Sequence, residues 1–451
     1  MARLVAAALL AAAARAAALD VPGPCGPVGR GWDAVEIEGR ALAKLGGTPI
    51  ADLGVVAVRD GRAAPIPFQV DEKRGRRVIL PGGPEATRDD RPDVLDAEDL
   101  VVFLACDAGT RATPEVLAAP LGDAARVRAW REVRLHDPAS GREAFVYVLA
   151  GSRLPASPRR YVAYDEAVDL VTTARYRVGL VDALPRYLAL SIAGGPGPNL
   201  IDGLRLRAHA TLLANLARWR LDETEGTHAL MAWKAGPVRV VRRSRHRVAV
   251  GLGLQLTAGV ANTYFYSGHV FGPGSMRLPF SPSLFFRDIT AFGGADGRNL
   301  RGWRYHAAGT PAAGFAIDGR MDDAERAWRA RGDWFAVAAQ EEAVLFVVRT
   351  SENLARQVPL HLVYRDDASP NPPEDVPGTL PLVGYEGRHV EKLRAGKYLF
   401  QLSIFALPGY RPGDEKPIVA ALDAPLATGV TAAGGTLNAP AAPAAAPAAR
   451  P

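Results

Sequence analysis

Short runs of β-branched and aromatic residues recur along the chain with a period of two, and Gly, Pro, Asp or Asn interrupts each within a few residues. Examples are Val55–Arg59, Val101–Ala105, Ala144–Leu149, Val344–Arg349 and Tyr398–Phe405. A period of two places alternate side chains on opposite faces of an extended strand, so this pattern excludes a helical bundle. The expected class is all-β, with antiparallel sheets and few short helices. The clearest helix signal is Met321–Arg331, with acids in its first turn, bases in its last and Gly332 as a stop. No repeat of fixed period is evident, which argues against a propeller or solenoid.

Both ends fall outside this pattern. Met1-Ala-Arg3 is a short positive start, Leu4–Ala14 is an apolar run, and Ala16–Ala18 supplies small residues for cleavage, so residues 1–18 read as a secretory signal. Arg15 breaks the run before it reaches the ~20 residues a membrane span needs, and no membrane span is expected after cleavage. The expected location is the periplasm or the extracellular space. Residues 439–451 are almost wholly Ala and Pro, which gives no face to bury, and read as a disordered tail. The remaining length exceeds what one core organises, so two packed β-sandwich-like lobes are expected. Two prolines in Gly151–Pro158 place the boundary there, with one lobe at 20–155 and a larger one at 156–430.

The net charge of +6 comes from 54 basic and 48 acidic residues, a mild excess for so long a chain. No helix-turn-helix pattern or aromatic RNA-binding signature accompanies it, so nucleic acid is not an expected partner. The eight histidines never fall within five residues of one another, and phosphate-binding loops and Gly-x-Ser-x-Gly elbows are absent. No cofactor is expected on these grounds. Cys25 and Cys106 are the two cysteines, enough for one bridge in an oxidising compartment, although Cys106 ends an apolar run and also reads as a buried thiol.

Two clusters could carry chemistry. The acidic stretch Asp89–Asp99 precedes a strand, and oxygen ligands at short spacing suit calcium, with Asp93, Asp96, Glu98 and Asp99 as the candidate ligands; a solvated loop is the competing reading. The second comprises the basic row Arg243, Arg245 and Arg247, the segment with Tyr264, Tyr266 and His269, and Trp303 with His306. Aromatic faces stack on sugars and Arg pairs with uronate or sulfate, so these residues would suit an acidic polysaccharide if they met in one cleft. Any catalysis would then be of the lyase type. The rival reading is a non-catalytic cell-envelope scaffold or accessory subunit for a protein partner. The strand signal at Pro237–Leu256 allows one long strand or a hairpin turning at Arg242–Arg245, and the hairpin is preferred because so long a strand is uncommon. Asp71 and Glu72 are adjacent on a strand and must face opposite ways.

The strings Pro65-Ile-Pro-Phe-Gln-Val-Asp-Glu72, Asp99-Leu-Val-Val-Phe-Leu-Ala105 and Arg131-Glu-Val-Arg-Leu-His-Asp137 together resemble a segment of uncharacterised exported bacterial β-proteins. The resemblance covers roughly the first lobe and implies an exported β-fold without an assigned activity. The related segments carry an Asp-Gly-Asp-Gly-like loop, where this chain has Arg91, Pro92 and Val94.

Overall fold

The strand Leu100–Leu104 lacks polar alternation because both of its faces are buried. Val101 and Phe103 enter the first lobe's own core, whereas Leu100, Val102 and Leu104 pack with Tyr161, Val238 and Tyr266 of the second lobe. In this computed structural model, which describes residues 19–23, 25–118, 125–181, 184–192, 195–212, 217–222, 226–249, 255–367 and 381–431, the strand is central to a three-stranded antiparallel sheet. Its partners are Ala34–Glu38 and Gln69–Asp71. The expected leader at 1–18 and tail at 439–451 lie outside the described residues.

A five-stranded antiparallel sheet closes the first lobe, in the order Ala427–Thr431, Arg126–His136, Glu143–Ser152, Leu53–Arg59 and Arg62–Pro65. Val35, Ile37, Val55, Val133 and Val146 fill the space between the two sheets. The outermost strand corrects the expected boundary, because Ala427–Thr431 pairs with Arg126–His136 rather than completing the lobe at 156–430. Pairing satisfies the edge of Arg126–His136 and so draws the chain back to the lobe in which it began. Cys25 and Cys106 are joined in a disulfide across 81 residues, a closure worth about 4 kcal/mol in chain entropy.

The second lobe is built on a nine-stranded antiparallel sheet. Its order is Gly226–Ala235, Val240–Ala249, Gln255–Phe265, His269–Leu278, Gly396–Pro408, Glu342–Thr350, Trp334–Ala338, Arg304–Ala307 and Phe315–Ala316. Two five-stranded sheets share its core, one centred on Phe286–Gly297 and one on Tyr176–Val181. Aromatic rings dominate that core, with Tyr305 stacked on Tyr364 at 4.6 Å and Phe335 on Phe346 at 4.8 Å. On the outer face, the helix Glu415–Asp423 lays Ile418 against Leu345 and Phe405. Arg30 joins this helix to the first lobe by pairing with Asp137 and donating to the carbonyls of Ala421 and Ala424. Antiparallel sheets throughout, with few helices, match the expected class.

Two local expectations are corrected. Arg242–Arg245 is not a turn, since Val240–Ala249 runs through it as one strand. Every guanidinium in that stretch has an acceptor from a neighbouring element, so no charge forces the chain to bend toward water. The helix expected at Met321–Arg331 forms only at Asp323–Ala327, where Asp322 and Glu325 make a reciprocal capping box. It ends because Trp328 becomes extended and packs edge-on against Tyr305 and Phe315.

Candidate functional site

Alternation along Val240–Ala249 sends Arg242 and Arg243 to opposite faces. Arg242 is buried and pairs with Asp169, its guanidinium 5.9 Å from the Tyr164 ring. Arg243 donates to Asn262 Oδ1 at 3.0 Å and to the Val78 carbonyl at 2.9 Å, and Arg245 pairs with Glu85 at 2.8 Å. Of these three acceptors, Asn262 is on the adjacent strand Gln255–Phe265, whereas Val78 and Glu85 come from the first lobe. Two members of the basic row therefore bind the two lobes together, while Arg247 is exposed.

Tyr264 and Tyr266 enclose Arg239, whose guanidinium carbon lies 4.8 and 5.7 Å from their ring centres. Arg239 is fully buried, and so is its principal partner, Asp71. Arg239 Nε donates to Asp71 at 2.8 Å, Nη2 lies 2.7 Å from the same carboxylate, and Nη1 reaches Glu36 and the Tyr266 hydroxyl. Lys234 stands 3.4 Å from Asp71 and donates to the Val70 carbonyl at 2.6 Å. Gln69 completes the group: its amide nitrogen donates to Asp71 at 2.9 Å and its oxygen accepts from the backbone of Arg239 at 2.9 Å. Gly236 allows this approach, because a Cβ there would sit 2.1 Å from the Gln69 oxygen. Burial pushes the Asp71 carboxyl up, but the charges of Arg239 and Lys234 and the Gln69 hydrogen bond outweigh it and hold the group below the usual carboxylate range.

This buried network was not visible from the residues singly. Its one local signal was Asp71, an acid closing an apolar strand run. Glu72 faces the other way, as a period of two requires, and accepts from the Asp93 backbone at 2.7 Å.

The remaining members of the expected sugar cleft are dispersed. His269 is buried between Phe405, stacked at 4.4 Å, and Tyr266, at 5.7 Å. Its Nε2 has no hydrogen-bond partner, and burial lowers its pKa to about 3, so the ring is held neutral. Trp303 packs against the large core. His306 is buried five strands along the sheet from Tyr264, with its ring 6.1 Å from that of Tyr410. The eight residues do not form a common cleft.

The acidic loop does gather carboxylates, but with a different membership. Asp89, Asp96 and Asp99 each place an oxygen within 4.8 Å of the others. Asp93 and Glu98 lie outside this group; Asp93 sits at φ 61° in an exposed turn, and Glu98 accepts from the Gly75 backbone at 2.6 Å. Asp99 accepts from the backbones of Lys73 and Asp96, and burial, reinforced by the neighbouring Asp96 and Asp89 charges, raises its carboxyl to about 6. Both carboxylate oxygens of Asp89 are closed to solvent, and the neighbouring Asp90 is the one group that bonds them.

A pocket of about 550 Å³ opens on the first lobe, lined by Arg111, Thr113, Trp130, Glu132 and Thr431. The Glu132 carboxylate accepts from Arg111 Nε at 3.2 Å and Nη2 at 3.0 Å, from the Tyr147 hydroxyl at 3.1 Å and from Thr431 at 3.4 Å. The Tyr147 hydroxyl in turn accepts from the Ala112 backbone at 2.7 Å. Burial and the adjacent Glu132 raise the Tyr147 phenol to about 12. Trp130 tilts over Tyr147 with ring centres 5.8 Å apart, and the side chain of Arg111 is 68% exposed at the mouth. Thr431 comes from the returning strand Ala427–Thr431, and no local pattern places it beside Glu132.

No family model and no curated protein matches the chain. Among solved structures, the fold is similar to an alpha-mannosidase from Enterococcus faecalis V583, with a TM-score of 0.45 and 10% identity, over 89% of this chain and 44% of that one. It is also similar to the Slr1438 protein from Synechocystis sp. PCC 6803, with a TM-score of 0.29 and 9% identity, over 56% of this chain and 97% of that one. The chain thus spans less than half the length of the mannosidase.

Proposed function

We propose that the protein is an exported, non-catalytic recognition protein that takes an acidic carbohydrate in the pocket between Arg111 and Trp130. The observation that carries this reading is the pocket itself, an open depression where the exposed guanidinium of Arg111 and the largely buried indole of Trp130 line the same opening. Arg111 already holds one carboxylate in fork geometry, and a uronate would meet the same donors by exchange with Glu132. Binding is favoured over hydrolysis because glycoside cleavage uses two carboxyl groups, and Glu132 is the single carboxylate among the described lining residues. Its hydrogen bonds already occupy it. Lyase chemistry would need a base, and a phenol raised to about 12 keeps its proton at neutral pH.

The test is retention of the chain on immobilised neutral and acidic polysaccharides. Retention on uronate polymers should weaken about tenfold in Arg111→Ala, the loss expected of one charge-assisted contact. Equal retention of the variant would sink the pocket assignment, and retention on no glycan would leave the scaffold reading.

A second reading concerns the acidic loop, for which we propose calcium as the occupant of Asp89, Asp96 and Asp99. It is supported by the convergence of the three carboxylates, with the Asp89 oxygens closed to solvent and only the neighbouring Asp90 to bond them. A cation would supply a further partner. Calcium at about a hundredfold excess over its dissociation constant should stabilise the chain by about 2.7 kcal/mol. Thermal unfolding with calcium or with a chelator measures this, and a shift that persists in Asp89→Asn, or none in the parent, would rule the site out.

A further inference from the structure

The connection between His269–Leu278 and Phe286–Gly297 ends in a small apolar tip. Phe280, Leu284 and Phe285 are 47%, 67% and 49% exposed. The tip is preformed: the Phe280 and Phe285 rings meet edge to face at 5.5 Å, and backbone bonds Leu284 to Ser281 and Phe285 to Pro282 close a turn at Pro282–Leu284. Arg287 fastens the base by donating to the Ser283 and Phe286 carbonyls. Three large apolar side chains are therefore held in water on a hydrogen-bonded turn.

Cations lie on the elements that flank the tip. Arg277 and Lys397 are exposed and directly opposite in register on adjacent strands. Arg287 is exposed on the following strand, and across the sheet it shares the Thr211 position with exposed Arg218. Lys392 is exposed on the turn Val390–Lys392, which packs against the tip. Of the nearby acids, Asp288 is exposed, while Glu391 is buried and accepts from the Ile289 backbone at 2.8 Å.

We infer that this tip docks the protein on a lipid surface carrying anionic headgroups, with Phe280, Leu284 and Phe285 entering the headgroup layer and the flanking cations meeting lipid phosphates. An exposed apolar tip flanked by positive charge suits an interface that is apolar below and anionic above. A stable protein partner would instead require a broad apolar face, and here the further exposed Leu399 and Phe400 lie beside Lys397, so apolar and cationic side chains are interleaved. The site is on the second lobe, separate from the Arg111 pocket, and the inference does not depend on the carbohydrate reading.

The experiment is co-sedimentation of the chain with vesicles of phosphatidylcholine alone and of phosphatidylcholine mixed with phosphatidylglycerol. The parent should bind the anionic vesicles, and Leu284→Ser/Phe285→Ser should bind about 100-fold more weakly. Arg277→Gln/Lys397→Gln should lose about 30-fold on anionic vesicles while its binding to neutral vesicles is unchanged. All these residues are exposed, so an unchanged unfolding midpoint in both variants separates lost docking from lost folding. Absence of binding to either vesicle, or binding indifferent to the tip substitutions, would overturn the inference. So would concentration-dependent self-association abolished by the tip variant, which would make the surface an interface between copies.

Discussion

Replacing Arg239 by alanine is expected to lower the stability of the chain by about 3–5 kcal/mol, because it leaves Asp71 buried without its main counter-charge. Lys234 remains, but at 3.4 Å it meets one carboxylate oxygen, whereas Arg239 spans Asp71, Glu36 and Tyr266. Denaturant unfolding measures the loss. The double variant Arg239→Met/Asp71→Leu should recover part of it, since it removes the unpaired carboxylate but leaves Lys234 and the Gln69 amide without their acceptor. A loss below about 1 kcal/mol would show that the pair contributes little more than an exposed surface bridge.

The second large effect is expected from acid. His269 has a folded pKa of about 3 against an ordinary value of 6.5, with burial between Phe405 and Tyr266 as the cause. Between those values the unfolded chain binds a proton that the folded chain refuses. The contribution of the neutral ring is complete above pH 6.5 and is lost as pH falls, at about 1.4 kcal/mol per pH unit. From pH 6.5 to 5 this amounts to about 2 kcal/mol. His246 and His306 are also lowered by burial and act in the same direction, whereas Asp99, raised to about 6, acts in the opposite one. The comparison that isolates His269 is therefore between the parent and His269→Phe, which keeps the stacked shape and removes the proton site. Parallel stability curves for the two across this range would refute the assignment.

Several elements of the fold were legible one segment at a time. The run Leu100-Val-Val-Phe-Leu104 reads as a strand from its composition, and its uninterrupted apolar character already implies two covered faces. The helix signal at Met321–Arg331 was real, but its length was decided by Trp328, whose indole gains more by packing on Tyr305 and Phe315 than by extending the helix. The pair Cys25 and Cys106 was nameable because the chain offers no other combination.

The sites were less legible. The basic row was visible as alternation, but its expected ligand was a sugar, and for Arg243 and Arg245 the structure supplies the Val78 carbonyl and Glu85 instead. The acidic stretch was visible as composition. Which of its carboxylates converge depended on the turn at Asp93 and on Gly75 drawing Glu98 away. The Arg111 pocket was not anticipated, because Thr431 reaches it from the far end of the chain.

By itself, the sequence determined that this chain forms many short antiparallel strands, because a period of two and frequent breakers act on neighbouring residues and need no knowledge of distant ones. Only the tertiary structure decided which charges are buried together, which strand completes the first lobe and which apolar side chains remain in water. Arg239 and Asp71 are 168 positions apart, and Ala427–Thr431 pairs with a strand nearly 300 positions earlier. Such pairings are selected by shape and charge across a folded interface, and local periodicity carries no record of them.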